Sequence, residues 1–123
     1  MIKGVGIDLV EISRMAQNVR SAHFMRRVFS EAERAHIGEG SLAAERAAGN
    51  FAAKEALSKA LGCGIAGCPM DAVEVLRDEA GAPYINATGA AKEKLDELGV
   101  WNIQVSITHT RETAAAFVVL EGD

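Results

Sequence analysis

The stretch from Ser41 to Leu61 most restricts what this chain can fold into. Its second half, Phe51-Ala-Ala-Lys-Glu-Ala-Leu-Ser-Lys-Ala-Leu61, is built almost entirely from Ala, Leu, Lys and Glu, the strongest helix formers, and Gly62 is the residue type that ends helices. The spacing predicts a long helix capped by Ser41 and closed at Gly62, against which the other elements must pack. Glu55 and Lys59 stand one turn apart on it and share a face, while Leu57 and Leu61 form a separate apolar stripe. An ordinary exposed helix carries such a pair too, at a worth of about 0.3 kcal/mol. The rest of the chain has to decide between the two readings.

Residues Ile2 to Ile12 read as a strand, with Val5, Ile7, Leu9 and Val10 apolar and Gly4 and Gly6 set among them. Glycines inside a strand mark close approach of another backbone or of a ligand. Asp8 interrupts the apolar run. A carboxylate there is costly to bury unless it is paired or holds a metal, the alternative being an acceptor of hydrogen bonds at the strand end. Ser13 is placed to cap a helix running to about Arg20. Ser30-Glu-Ala-Glu33 has the form of a capping box, so a short helix begins at Glu31 and ends near Gly38 and Gly40.

After the long helix, Gly62-Cys-Gly-Ile-Ala-Gly-Cys-Pro69 lacks the Lys-Ser or Lys-Thr ending of a P-loop and reads as a turn, or as backbone that lets a ligand come close. Val73 to Leu76 and Tyr84 to Ile85 read as short strands joined by the turn Asp78 to Pro83. Thr88 caps a helix to Leu98, closed by Gly99. Trp101 to Thr108 and Ala114 to Leu120 are strands linked as a hairpin through His109-Thr-Arg-Glu112. This order predicts an α+β domain spanning residues 1–123, a largely antiparallel sheet packed with one long helix and shorter ones.

Charge is distributed unevenly. The net charge of −4 argues against general nucleic-acid binding, yet residues 1–30 hold five basic against two acidic side chains, and the remainder eight against fifteen. A basic N-terminal face fits either an acidic partner of defined shape or a merely solvated helix surface. The first residues carry Lys3, Asp8 and Glu11 where a signal peptide needs an apolar core, and no long uncharged run is present, so the expectation is a cytoplasmic protein without a membrane span. Cys63 and Cys68 have no second metal-binding pair nearby and are expected as free thiols.

Three polar features then ask for a common explanation: Asp8, Glu55 with Lys59, and Ser106-Ile-Thr-His109 at the end of a late strand. Two carboxylates from separate elements are the ligands Mg²⁺ uses when it keeps its waters and shares a substrate phosphate. Lys59 can meet phosphate charge, and His109, beside the hydroxyls of Ser106, Thr108 and Thr110, suits another phosphate or a proton relay, unless it is a turn histidine bonded to backbone. The residues therefore point to a Mg²⁺-dependent phosphate-ester site without naming its substrate.

With these residues in view, the chain resembles the holo-(acyl carrier protein) synthases, the small trimeric branch of the 4′-phosphopantetheinyl transferases. The resemblance runs end to end. Gly6-Ile-Asp-Leu-Val-Glu11 is followed by Ile12 and Arg14, then Phe29-Ser-Glu-Ala-Glu33, then Phe51-Ala-Ala-Lys-Glu-Ala56 with Ser58-Lys-Ala60, then Gly81 with Pro83, and last Val105-Ser-Ile-Thr-His-Thr110. It implies transfer of the phosphopantetheine arm of coenzyme A to a serine of apo acyl carrier protein, a step of fatty acid biosynthesis that releases adenosine 3′,5′-bisphosphate. It also implies that Asp8 and Glu55 hold Mg²⁺, that Lys59 stabilises the diphosphate and leaving group, and that Glu55 or a metal-held water takes the serine proton. Gly81, Pro83, Ser106, Thr108 and His109 are implied along coenzyme A. Arg14, with Arg20, Arg26 and Arg27, is implied against the carrier protein, and a homotrimer with each site between neighbouring subunits is implied as well.

Three positions depart from the family's pattern. The residue before Phe51, commonly arginine, is Asn50; the residue between Gly81 and Pro83, commonly lysine, is Ala82; and the second serine before the histidine is Thr108. The first two remove positive charge near the expected phosphates, leaving Arg46 and Lys54 as substitutes. A noncatalytic binding module of the same fold and a Mg²⁺-dependent nucleotide diphosphate hydrolase are the competing readings, and Asp8, Glu55, Lys59 and His109 together argue for the transferase.

Overall fold

The computed structural model describes residues 1–63 and 69–123. Cys68 and most of the glycine-rich stretch lie outside the described residues. Strand β1 (Ile2–Glu11) leads directly into α1 (Ile12–Asn18), followed by α2 (Ala22–Val28), α3 (Glu31–Ile37) and the long α4 (Ala43–Leu61). A 3₁₀ turn at Met70–Ala72 precedes β2 (Val73–Arg77) and β3 (Pro83–Ala87); then come α5 (Gly89–Glu97), β4 (Val100–His109) and β5 (Thr113–Gly122). The architecture is α+β and antiparallel throughout, but in two sheets: β1-β5-β4 and β2-β3.

α4 is the centre of the fold. Its end follows the expectation: Gly62 sits at φ 74°, its N–H donates to Lys59 O at 3.0 Å, and Cys63 N–H donates to Ser58 O at 3.1 Å, the paired bonds of a Schellman ending. Its start does not, because Leu42 precedes the first turn in helical dihedrals and no side chain, Ser41 included, accepts from it. Rather than one packed face and one charged face, α4 is enclosed on most sides, and Asn50, Lys54 and Ser58 are buried with its alanines.

The glycines of β1 explain how the helix docks. A Cβ at Gly6 would overlap the carbonyl of Ala56, and one at Gly4 the carbonyl of Ala60, so the approaching backbone is that of α4 itself. At its other half, Gly49 brings α4 against Ile107 of β4. The helix therefore crosses the three-stranded sheet obliquely, from β4 at its start to β1 at its end. Ala52, Ala53, Ala56, Leu57 and Ala60 form one core with Val118 and Leu120 of β5 and Val73 and Val75 of β2. Met15, Val28, Phe29, Ile37, Ala47 and Ala48 form a second core under α1 to α3.

Other caps correct or complete the reading. The capping box at α3 is present, with Glu33 N–H donating to Ser30 Oγ at 3.2 Å and Ser30 N–H to Glu33 Oε1 at 3.1 Å. α1 starts one residue before Ser13 with no side-chain cap. Thr88 does precede α5, but its hydroxyl bonds Ala72 O instead of the helix. Helix α2 was not foreseen; Ser21 Oγ caps it by accepting from Phe24 N–H at 3.1 Å. Among the described residues no helix is long and apolar enough to cross a membrane.

Candidate active site

Alternation along β1 places Gly4, Gly6 and Asp8 on the side facing α4 and Val5, Ile7 and Leu9 on the opposite, exposed side. Because the glycines draw α4 down onto β1, the next inward residue, Asp8, meets the helix just beyond the contact. Lys59 Nζ donates to Asp8 Oδ1 at 3.1 Å and to the Ile7 carbonyl at 3.1 Å. Glu55 stands close enough that burial first, and then the charge of Asp8, push its carboxyl up from the ordinary value, while Lys59 pulls it down. Thus Asp8, Glu55 and Lys59 come together from two elements.

Two carboxylates held this close repel unless a cation lies between them. Among the described residues no group of three or more His, Cys, Asp or Glu side chains converges. A two-carboxylate set is too sparse for a cation caged wholly by protein, and fits one that completes its shell with water and phosphate oxygen, as Mg²⁺ does.

Arg14 lines the same cleft, with Glu11, Met15, Asn18 and Phe51. Arg20 lies in a separate hollow beside Val19 and Met25, and Arg26 and Arg27 in another beside His23. Of the expected docking residues, only Arg14 shares a surface with the carboxylates.

The expected coenzyme A residues divide. Gly81, Pro83, Thr108 and His109 line one pocket together with Glu45, Arg46 and Arg77. His109 Nε2 lies 3.4 Å from Glu45 Oε2. Ser106 is elsewhere, exposed and paired across the ladder with Phe117 of β5. This pocket and the carboxylate cleft do not merge within one chain, since β1 and β4 flank β5 and so stand about 10 Å apart.

Lys54 is not available to a ligand. Its ammonium is enclosed, with Glu33 Oε1 at 2.7 Å and the carbonyls of Val28, Met70 and Val73 at 2.7, 2.8 and 2.5 Å, and it lies over the Phe29 ring. Burial pushes its pKa down, against the pull of Glu33. Asn50 is equally buried: Nδ2 donates to Glu33 Oε2 at 3.2 Å and to Val75 O at 3.1 Å, and Oδ1 accepts from Arg77 Nη2 at 3.1 Å. Position 50 therefore faces the pocket only through Arg77. Arg77 and Glu45 were missed by sequence reasoning. The usable signal for Arg77 was a basic residue at a strand end directly before a turn carrying Gly and Pro.

The family model described as the 4′-phosphopantetheinyl transferase superfamily matches residues 4–118. The chain is similar to the holo-[acyl-carrier-protein] synthase of Solidesulfovibrio magneticus, 46% identical over 99% of this chain and 100% of that protein. It is similar also to that of Clostridium acetobutylicum, 41% identical over 98% of each. Among solved structures, the holo-(acyl-carrier-protein) synthase of Bacillus anthracis in complex with CoA (3′,5′-ADP) superposes with a TM-score of 0.84 at 36% identity, covering 100% of this chain and 99% of that one. The Neisseria meningitidis synthase gives 0.88 at 31%, covering 98% and 99%. With the two motif halves brought onto one helix and one sheet, and with this likeness over essentially the whole length, the chain belongs to the 4′-phosphopantetheinyl transferase superfamily.

Proposed function

We propose that this chain is a holo-(acyl carrier protein) synthase, transferring the 4′-phosphopantetheine arm of coenzyme A to a serine hydroxyl of apo acyl carrier protein. The observation that carries this is the convergence of Asp8, Glu55 and Lys59 where α4 crosses β1, in a chain akin to synthases along its length. The serine oxygen forms a bond to the pantetheine-side phosphorus, the bond to the bridging oxygen breaks, and adenosine 3′,5′-bisphosphate leaves. Mg²⁺ held by Asp8 and Glu55 would neutralise the diphosphate. Glu55, or a water held by the metal, would take the serine proton. Lys59, more than half exposed beside Asp8, offers its ammonium to the charge that grows on the leaving phosphate. Arg14, in the same cleft, meets the acidic surface that presents the serine.

A homotrimer accounts for two further features. The face of the sheet turned away from α4 exposes Val5, Ile7, Leu9 and Phe117, with Leu9 69% accessible, an apolar surface suited to another subunit. The pocket beside His109 is also separate from the carboxylate cleft within one chain, so halves from neighbouring chains would complete one site. Its product would serve fatty acid biosynthesis in the cytoplasm.

Intact mass of apo acyl carrier protein, after incubation with this protein, coenzyme A and Mg²⁺ beside a chelator control, tests the reading. The expected result is a metal-dependent gain of one phosphopantetheine, abolished by Asp8→Ala and by Glu55→Gln. Near-normal transfer in both variants would overturn the assignment of the site. No gain at all, with coenzyme A still bound, would instead favour the noncatalytic module, and nucleotide release without carrier protein the hydrolase.

A further inference from the structure

We infer that Arg77, oriented by Asn50 and joined by Arg46, binds the ribose 3′-phosphate of coenzyme A and so sets a preference for coenzyme A over its 3′-dephospho form. The inference rests on the transferase reading above. Its physical basis is an excess of fixed positive charge in one pocket. Arg46, Arg77 and His109 line it, and Glu45, the acid among its lining residues, is already beside His109 at 3.4 Å. Among the described residues neither guanidinium has a carboxylate within ion-pair distance. Their fields overlap: His36 is pushed down first by burial and then by Arg77 and Arg46 together. Two guanidiniums sharing a hollow repel each other until an anion lies between them, and a phosphate offers the oxygens to accept from both.

The support behind Arg77 is unusually rigid. Asn50 is fully buried, and its amide nitrogen must face Glu33 Oε2 and the Val75 carbonyl, so Oδ1 has one direction left. That oxygen accepts from Arg77 Nη2 at 3.1 Å. A neutral acceptor fixes the guanidinium without cancelling its charge, which a carboxylate in that place would do. Glu33 in turn is fixed by Lys54 at 2.7 Å. The chain from Lys54 through Glu33 and Asn50 thus ends on a cation half-buried at the pocket wall. With the diphosphate assigned to Asp8, Glu55 and Lys59, the remaining anionic group of coenzyme A is the 3′-phosphate, and this pocket is the one built for it.

Transfer rates with coenzyme A and with 3′-dephospho-coenzyme A, on the full-length protein and its Arg77→Ala variant, test this. Arg77→Ala should raise KM for coenzyme A about tenfold and leave kcat, and KM for the dephospho substrate, within about twofold. Asn50→Ala should move KM in the same direction, and adding it to Arg77→Ala should do nothing more, because Asn50 acts through Arg77. Unchanged KM for coenzyme A, or equal losses on both substrates, would overturn the inference. If the unaltered protein transfers nothing, the transferase reading fails but this one is still decided by calorimetry. Adenosine 3′,5′-bisphosphate must then bind about tenfold more weakly to Arg77→Ala while adenosine 5′-monophosphate does not, and equal binding of the bisphosphate to both proteins would refute it. Since Arg77 is half-exposed, the decisive variant does not depend on a buried substitution folding.

Discussion

Lys54 and Lys59 stand five residues apart on one helix, and each meets a carboxylate. Lys54 lies 2.7 Å from Glu33, with side chains 1% and 0% accessible; Lys59 lies 3.1 Å from Asp8, with side chains 57% and 18% accessible. The chemistry of the two pairs is the same, and their surroundings give them different work. Lys54 draws together the end of α2, the cap of α3, the 3₁₀ turn and the start of β2 through four oxygen acceptors, so its charge is spent on holding segments. Lys59 hydrogen-bonds only to β1 among the described residues, and more than half of its side chain is exposed, where a phosphate can reach it. A lysine becomes a scaffold when the backbone closes over it and a ligand-binding group when it does not.

Truncating the buried member should give the largest effect. Lys54→Ala leaves the Glu33 carboxylate and three carbonyls without their donor in a dry interior, a loss of about 3–5 kcal/mol. Urea unfolding monitored by circular dichroism should show the midpoint collapse or the protein fail to fold; a loss below about 1 kcal/mol would mean that Lys54 is not the hub described. The exposed pair should respond in the opposite sense. Lys59→Ala is expected to slow transfer about 100-fold while costing less than about 1 kcal/mol of stability. Comparable losses of stability in the two variants would erase the distinction between the pairs.

That distinction was only half legible in the sequence. The Schellman ending at Gly62, the Ser30–Glu33 box and the backbone approach at Gly4 and Gly6 depend on neighbours within a few residues or on glycine itself, and all are present. The meeting of Asp8 with Glu55 and Lys59 also follows from local pattern, since both sides point inward where the glycines let the helix descend. Lys54 looked the same as Lys59 because helix propensity and spacing are blind to burial. Its partners stand 16 to 26 residues away, and only the folded backbone brings them in. Asn50 and Arg77 are joined across 27 residues, so the neutral residue at position 50 is tied to a guanidinium that sequence neighbourhood does not reveal. Ser106 shares a face of β4 with Thr108, opposite Ile107, which packs toward α4, and of the two only Thr108 lines the pocket beside His109.

The smallest effect sharpens the comparison furthest, because it asks whether the exposed site is held at some cost to the fold. Burial and Asp8 raise the proton affinity of Glu55 above its unfolded value, with Lys59 opposing. A group whose folded pKa is raised contributes stability that is fully present below the unfolded pKa and is lost as pH rises through the folded one. Ionised Glu55 is then a penalty that a neutral glutamine does not incur. Glu55→Gln should therefore gain stability relative to the unaltered protein as pH rises from the ordinary glutamate range toward neutrality in the presence of a chelator. The gain stays under about 1 kcal/mol, because solvent still reaches the carboxyl. Thermal melts of both proteins across that range should diverge toward neutrality. Adding Mg²⁺ should then raise the melting temperature of the unaltered protein and not that of the variant, since an ion that binds only the folded state stabilises it by mass action. Melts that stay parallel, or that diverge toward acid, would show that Glu55 is at ease beside Asp8 without a cation, and the pairing of these carboxylates would then need no metal to explain it.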